Sequence, residues 1–287
     1  MILREVISVQ GIMSYIVAAR SFLFQILSFL LVVLLASAAL APYLAPHSYT
    51  QINLQDRLLG PTSIHWFGTD ELGRDVFSRL LYGGRISFLV ALIVVTISFC
   101  SGVILGSISG WFRGWIDEVM MRIADVLLAF PGLLLAIALM AVLGPSLQNV
   151  ILALIVIGWI PYARLTRALV LKFRELEFVE ASRSLGANSG RILSSHILPN
   201  VLPALFVQIS FSFAGMILAE SSLSFLGLGV QPPDPSWGNM LSDAKNHLLD
   251  APYLTIFPGI AIFLSVIALN LLGDAMRDRF DPFQTGI

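Results

Sequence analysis

The chain has 287 residues, of which 57% are hydrophobic and only 12% are charged, and its mean hydropathy is +0.85. A soluble domain carries about 25% charged residues, so this composition excludes an ordinary soluble enzyme and predicts an all-α polytopic membrane protein. The formal net charge of −1 favours no nucleic-acid partner. The single Cys100 excludes an intrachain disulfide, and the 4 histidines are scattered without zinc-ligand spacing, so no metal site is expected.

Six apolar stretches are long enough to cross a bilayer as helices. Their approximate bounds are 22–41, 86–110, 124–143, 150–169, 201–219 and 254–272. Pro131 predicts a kink near the start of the third span. The first stretch has an alternative interpretation as a cleaved signal peptide, because residues 36–41 resemble cleavage sites. We favour an uncleaved helix, since the stretch exceeds a usual signal-peptide core and further spans follow.

These stretches divide the chain into three parts. Residues 1–46 contain the first span, preceded by residues 1–20 as a candidate interfacial helix. Residues 47–85 form an extracytoplasmic segment in which we expect an amphipathic helix, capped at Thr69 or Asp70 and turning at Gly83-Gly84 into the second span. Residues 86–287 form a core of five spans, with a polar connection at about 171–200.

The second span carries a doubled G-x-x-x-G pattern at Gly102, Gly106 and Gly110. Three glycines at this spacing lie on one helical face and let another helix approach closely. The pattern therefore predicts tight packing between helices, and it carries little information about function.

The distribution of basic residues predicts the orientation of the chain in the membrane. With the N-terminus inside, the cytoplasmic segments hold twelve of the 17 Lys and Arg residues, six of them in the long polar connection. The outer segments hold Arg57, Arg74, Arg79, Arg85 and Lys245. Because cytoplasmic segments are enriched in positive charge, we predict six spans with both termini in the cytoplasm.

The polar connection is too long for a simple link between two spans. Gly186 and Gly190 are expected to allow sharp changes of direction. Glu180 and Arg183 offer charges that fix register against a partner, while small side chains permit close docking. The alternative is a solvated loop whose charges only keep it out of the bilayer.

Four stretches in chain order resemble the permeases of ABC importers. Glu180-Ala-Ser182, followed by Gly186 and Ile197-Leu-Pro199, resembles the EAA loop, with Ser182 where the family usually has a second alanine. Residues 67–79 (FGTDELGRDVFSR), 222–229 (SLSFLGLG) and 270–278 (NLLGDAMRD) are similar to the C-type subunit of the dipeptide/oligopeptide/nickel permease family. The resemblance covers about residues 20–283 and implies the type I ABC-importer permease fold in the bacterial inner membrane.

The resemblance also implies partners and a role for the EAA loop. In the family this loop is a coupling helix that docks into a groove on an ATP-binding subunit. A homologous B-type permease, two cytoplasmic ATPases and an extracytoplasmic solute-binding protein would complete the importer. The residues that match the coupling loop, or that flank it with suitable chemistry, are Glu180, Ala181, Ser182, Arg183, Gly186, Ala187, Ile197, Leu198 and Pro199.

Polar residues at membrane depth are costly and tend to face a cavity or a partner helix. On this basis Gln208, Glu220 and Asn270 are candidates for the translocation path, with Glu220 at the outer end of the fifth span. The alternative is hydrogen bonding between helices, which we favour for Asn270, Ser210 and Ser212.

The chain has no phosphate-binding loop, because neither Lys172 nor Lys245 follows a glycine. We therefore expect no catalysis and no cofactor here, with ATP and Mg²⁺ bound by the partner ATPases. A secondary transporter would predict an internal repeat or a midplane ionisable pair, and a membrane enzyme would need clustered His, Asp or Glu. Neither pattern is evident. Short peptides are the expected cargo, with nickel chelates or glutathione as alternatives within the family.

Overall fold

The computed structural model describes residues 24–26 and 28–280, so the candidate interfacial helix at 1–20 and the last residues of the tail lie outside the described residues. The regular elements of the described chain are helices joined by turns and loops, and its one β-bridge is an isolated pair between Thr69 and Asp75. A π-helical turn, Leu193–Ile197, leads into the second-to-last long helix. The helices are α1 (Phe24–Ala39), α2 (Ala41–Leu44), α3 (Val76–Phe112), α4 (Gly114–Leu128), α5 (Gly132–Leu143), α6 (Leu147–Phe173), α7 (Glu177–Ser184), α8 (Ser189–Ile192), α9 (Leu198–Phe225), α10 (Trp237–Ala244) and α11 (Tyr253–Phe280).

Four helical stretches of the described chain are long and apolar enough to cross a membrane. They are α3, α6, the run Ser189–Phe225 and the run Tyr253–Asp278. The bent pair α4 and α5 makes a fifth if it is counted as one span, and α1 is a shorter apolar helix. The prediction of a multi-pass helical membrane protein is confirmed, whereas six spans and their orientation remain predictions.

The predicted third span at 124–143 is not a single helix. Helix α4 begins at Gly114, and α4 and α5 meet at an angle of 85°. Pro131, which precedes α5, has an extended ψ of 125°. Proline has no N–H to continue the helical ladder, and its ring disfavours helical backbone in the residue before it. The expected kink is therefore a complete break.

The predicted amphipathic helix with a turn at Gly83-Gly84 is also wrong. Helix α3 begins at Val76, with the Asp75 carboxylate accepting a bond from the Ser78 N–H, and it continues for 37 residues through both glycines. The glycines make room for a tryptophan, since a Cβ at Gly84 would lie 2.8 Å from the Trp237 ring. The indole N–H of Trp237 donates to the Leu80 carbonyl at 3.0 Å.

The glycine stripe of α3 (Gly102, Gly106, Gly110) packs directly against α6, as its spacing predicted. A Cβ at Gly102 would lie 2.6 Å from the Trp159 carbonyl oxygen, and one at Gly106 would lie 2.4 Å from that of Ala163. These distances leave no space for a side chain. The backbones of the two helices are therefore in contact, and we call this contact the α3–α6 seam.

The seam predicts a specific intolerance to alanine. Gly106→Ala places a methyl group against the α6 backbone, so we expect a loss of about 1–3 kcal/mol in unfolding free energy. Thermal unfolding of the purified chain in detergent measures the effect as a midpoint lower by several degrees.

Gly215→Ala in α9 is the matched control, because a Cβ there meets nothing within 4 Å. Alanine favours a helix over glycine, so this variant should match or slightly exceed the wild-type midpoint. Equal midpoints for Gly106→Ala and Gly215→Ala would contradict the close contact of α3 and α6.

Candidate functional site

The polar connection forms a compact projection at one end of the bundle. Helix α7 follows the end of α6, and the chain then reverses at Gly186, which has a φ of +83°. Glycine adopts this conformation without strain, so the predicted change of direction at this residue is confirmed. Gly190, expected to make a second one, lies inside α8 instead. The Asn188 side chain caps α8 by accepting from the Arg191 N–H.

A hydrophobic cluster holds this projection against the ends of the spans. Val179 is the one buried residue of α7 and is 0% exposed. It belongs to a cluster that also takes residues from α3, α6, α8, the π-helical turn and α9, namely Trp111, Tyr162, Val170, Ile192, Ile197, Val201 and Leu205. Because five other elements contribute to the contact, α7 is fixed to the bundle.

Trp111, in the last turn of α3, is the link between the seam and the projection. The Arg174 guanidinium donates to the Trp111 carbonyl at 2.6 Å and to the Gly110 carbonyl at 3.3 Å. These bonds satisfy acceptors at a helix C-terminus, where carbonyls lack partners within the helix. The guanidinium carbons of Arg174 and Arg183 lie 5.7 and 5.5 Å from the Trp111 ring centre. Both distances suit a cation–π contact.

Ion pairs join α4 to the same end of α6. Arg167 holds Asp117 through two contacts, one of them 2.6 Å long between Nη2 and Oδ2, and Ser109 donates to the same carboxylate. Arg164 pairs with Asp125. A bidentate arginine–carboxylate pair fixes geometry as well as charge. The pairs therefore orient α4 relative to the α3–α6 seam.

The structure separates the predicted coupling residues into an outward and an inward group. Ile197 is fully buried, whereas Ser182, Ala187 and Leu198 are half-buried. The Ser182 hydroxyl donates to the Phe178 carbonyl of its own helix at 2.7 Å. The exposed members are Glu180, Ala181, Arg183, Gly186 and Pro199. The exposed residues are available to contact another protein, whereas Ile197 and the half-buried residues pack within the chain.

Leu185 is a candidate docking residue that our sequence analysis missed. Its side chain is 89% exposed at the tip of the projection, and those of Leu176 and Phe178 are each 40% exposed. These exposed apolar side chains on a polar segment make Leu185 a candidate for contact with another protein. Its position directly before the turning glycine was the available sequence signal.

The candidates for the translocation path fall in different environments. Gln208 and Asn270 are half-buried, and the Gln208 amide donates to the Ser212 hydroxyl at 3.2 Å. Glu220 is 0% exposed. Its carboxylate accepts bonds of 2.7 Å from Ser87 of α3 and from Ser224. The Glu220 side chain is therefore enclosed by the helix bundle, and its place on the translocation path stays a prediction. Its carboxylate joins α3 to α9 in the interior, as the alternative of interhelical bonding describes.

At the opposite end, a network of charged side chains attaches the 47–75 segment and the start of α3 to α10. Asp70 accepts from Arg74 at 2.7 Å and lies 3.4 Å from Arg79, and both arginines approach Asp243 at 3.9 and 3.8 Å. Burial raises the pKa of the Asp243 carboxyl, although Arg79 and Arg74 oppose the change. Asp70, Arg74 and Arg79 are buried, whereas the Asp243 side chain is 44% exposed, so the network reaches from the interior to the surface and holds this segment against α10.

Comparison with protein families gives a decisive match. Residues 102–285, more than half of the chain, match the family described as "Binding-protein-dependent transport system inner membrane component". The chain belongs to this family. It is therefore a multi-pass permease of the kind found in ABC transporters, as the four motifs predicted.

Curated relatives refine the match within the family. The chain is 46% identical over 245 residues to the dipeptide transport system permease DppC of Alkalihalophilus pseudofirmus, with 85% of this chain and 81% of the relative covered. It is 46% identical over 250 residues to the glutathione transport system permease GsiD of Pectobacterium atrosepticum, covering 87% and 83%. Identity to DppC of Bacillus subtilis is 44% over 255 residues, covering 88% and 80%.

A solved structure shares the fold. The permease is similar to a chain of the MetNI methionine ABC transporter, described as showing inward facing conformations, with a TM-score of 0.60 and 18% sequence identity. The alignment covers 71% of this chain and 98% of that one. This likeness supports the type I ABC-importer fold expected from the EAA loop.

The Glu220 contacts predict different outcomes for two substitutions. Glu220→Ala leaves the Ser87 and Ser224 hydroxyls without their acceptor, at about 1–3 kcal/mol for each unsatisfied group. Glu220→Gln keeps one carbonyl acceptor and the side-chain volume, so we expect a smaller loss. The thermal unfolding midpoint in detergent should fall in the order wild type, Gln, Ala. Wild-type midpoints for both variants would exclude a structural role for the carboxylate.

Proposed function

We propose that this permease is the C-type subunit of an ATP-driven importer in the bacterial cytoplasmic membrane. The observation that carries the proposal is the geometry of α7, whose outer face is exposed while Val179 is buried beneath it. A short helix with a free outer face and a fixed inner face can receive force from a partner and pass it to the spans. Family membership and the EAA-like sequence of α7 support the same role.

The docking contact is assigned to the exposed tip of the projection. Leu185 enters an apolar pocket of the ATP-binding partner, and Ala181 allows close approach of the two backbones. Glu180 supplies the charge that fixes register. Arg183 contributes less to the partner than the sequence suggested, because its guanidinium already lies over Trp111.

The path of force follows from the contacts of the projection. A push on α7 reaches Trp111 through the hydrophobic cluster, and Arg174 connects Trp111 to α6. The α3–α6 seam then carries the displacement across the membrane, since two helices in backbone contact move together. ATP and Mg²⁺ belong to the two partner ATPases, and a B-type permease and an extracytoplasmic binding protein complete the importer.

The proposed cargo is a short peptide. Two of the relatives reported above are named for dipeptide transport and one for glutathione transport. Both substrates are small peptides, so the printed names favour this class over nickel chelates.

The proposed orientation places α7 and both termini in the cytoplasm, with α1 as the sixth span. The pair Leu185 and Leu249 tests it, because their side chains are 89% and 97% exposed on segments that lead into opposite ends of the spans. In a Cys100→Ser background, Leu249→Cys in intact spheroplasts should react with a membrane-impermeant maleimide, and Leu185→Cys should react only after lysis. The reverse pattern would contradict the orientation.

A coupling role predicts that uptake depends on the backbone turn at Gly186 and on the charge of Glu180. Gly186→Val forces a β-branched residue into a φ of +83°, which costs about 1–3 kcal/mol and redirects the tip. We expect normal membrane insertion, loss of the ATPase on co-purification, and uptake of labelled dipeptide or glutathione at background. Glu180→Lys should show the same loss.

Gly190→Ala is the matched control, because Gly190 lies inside α8 and a Cβ there has its nearest neighbour at 3.6 Å. This variant should keep wild-type uptake and co-purification. Normal uptake by both Gly186→Val and Glu180→Lys would refute the coupling role. Uptake by the purified permease in liposomes without ATP would instead favour a secondary transporter.

A further inference from the structure

Two histidines and an aspartate converge in the segment that precedes α3. One ligand atom each from His47, His65 and Asp75 lie within 4.8 Å of one another. The imidazole rings of His47 and His65 have centres 4.7 Å apart, and His65 Nδ1 is 2.9 Å from Asp75 Oδ1. No metal site was expected from the sequence, because the histidines lack zinc-ligand spacing. The fold of the segment supplies the proximity that the spacing lacks.

Asp75 and His47 are each held by a further contact outside the cluster. Asp75 Oδ2 accepts from the Ser78 N–H and hydroxyl at 2.8 and 2.7 Å, so the carboxylate is fixed with Oδ1 toward His65. His47 Nε2 lies 3.1 Å from the Ile64 carbonyl oxygen. Metal-binding side chains in proteins are typically oriented by such outer contacts. Asp75 is buried and both histidines are half-buried, so the cluster is partly shielded from water.

A polar cleft adjoins the cluster. Its volume is about 200 Å³. Its lining is formed by His47, Ser48, Gln51, Asn53, Asp56, His65, Gly73 and Asp75. A cleft of this size holds several waters and offers polar groups to orient them. Water can therefore complete a coordination shell that the protein begins.

We propose that His47, His65 and Asp75 form a binding site for a divalent transition-metal ion of the zinc, cobalt or nickel class. Two imidazoles and one carboxylate suit these ions, whereas Ca²⁺ and Mg²⁺ prefer oxygen ligands alone. Ligands about 2.1 Å from a shared ion lie about 3–3.5 Å apart, which is close to the His65–Asp75 distance. His47 completes the site by a shift of about 1.5 Å or less, and water from the cleft fills the remaining positions.

The site would join the loop that follows α2 to the first turn of α3. His47 lies just beyond α2, and its backbone N–H donates to the Ser78 hydroxyl at 3.2 Å. The Asp75 carboxylate is the N-cap of α3. A metal ion between them links the 47–65 part of the segment to a helix that crosses the membrane. Because metal binding favours the folded state, the ion stabilises this arrangement.

Cobalt titration of the full chain in detergent tests the proposal. The chain is purified with a tag that contains no histidine, stripped with a chelator and titrated with Co²⁺, followed by visible absorption. The expected result is one equivalent of Co²⁺ with ligand-field bands, displaced by one equivalent of Zn²⁺. Zn²⁺ should also raise the thermal unfolding midpoint.

Substitutions assign the binding to these residues. His47→Gln and His65→Gln should abolish stoichiometric binding and the rise in midpoint, while His196→Gln, at the opposite end of the bundle, should keep both. If His65→Gln does not fold, His47→Gln decides, because the side-chain contact of His47 is exposed. Absence of Co²⁺ binding by wild type, or full binding by His47→Gln, would overturn the metal site. The cluster would then be a hydrogen-bonded pair, His65 and Asp75, with the His47 ring beside it.

Discussion

The close contact of α3 with α6 is the constraint on which the other contacts of the bundle depend. Space for a methyl group is missing at Gly102 and at Gly106, so the two backbones fix each other's position along the membrane normal. Without a hydrophobic driving force in lipid, helices associate through such close packing and through polar contacts. Glu220 adds a polar contact on another face of α3, where it accepts from Ser87 and so brings in α9.

The projection formed by the polar connection is positioned by this seam. Trp111 follows the last glycine of the stripe directly, and Arg174 lies one residue beyond α6, so each side of the seam contributes one partner to the contact between them. Val179 then joins α7 to the same cluster. Helix α7, which receives the force in our proposal, is therefore packed against the ends of the two helices that are in backbone contact.

Local patterns in the sequence predicted the features that depend on backbone geometry alone. The glycine stripe and the turn at Gly186 are of this kind, because spacing and the absence of a side chain decide them. Features that depend on distant residues were not predictable. The Trp237 ring packs against the helix at Gly84, where a side chain would leave it no space. The buried Glu220 carboxylate has its hydrogen-bond donor, Ser87, on another helix. Pro131 was recognised as a perturbation, but whether it bends or breaks a helix depends on packing that one sequence does not show.

Beside the seam lies helix α4, with a break in the helical backbone at each of its ends. Helix α3 has 37 residues and so extends about 55 Å, from the ion cluster around Arg79 to Trp111. Immediately after it, Arg113 and Gly114 have φ values of +55° and +62°, and an added Cβ at Gly114 meets nothing within 4 Å. Beyond lies α4, attached to α6 through arginine–aspartate pairs, and then the break at Pro131. Along the proposed path of force we therefore expect α3 and α6 to move as one body with α7, and the backbone changes that open a path to occur at the joints on either side of α4.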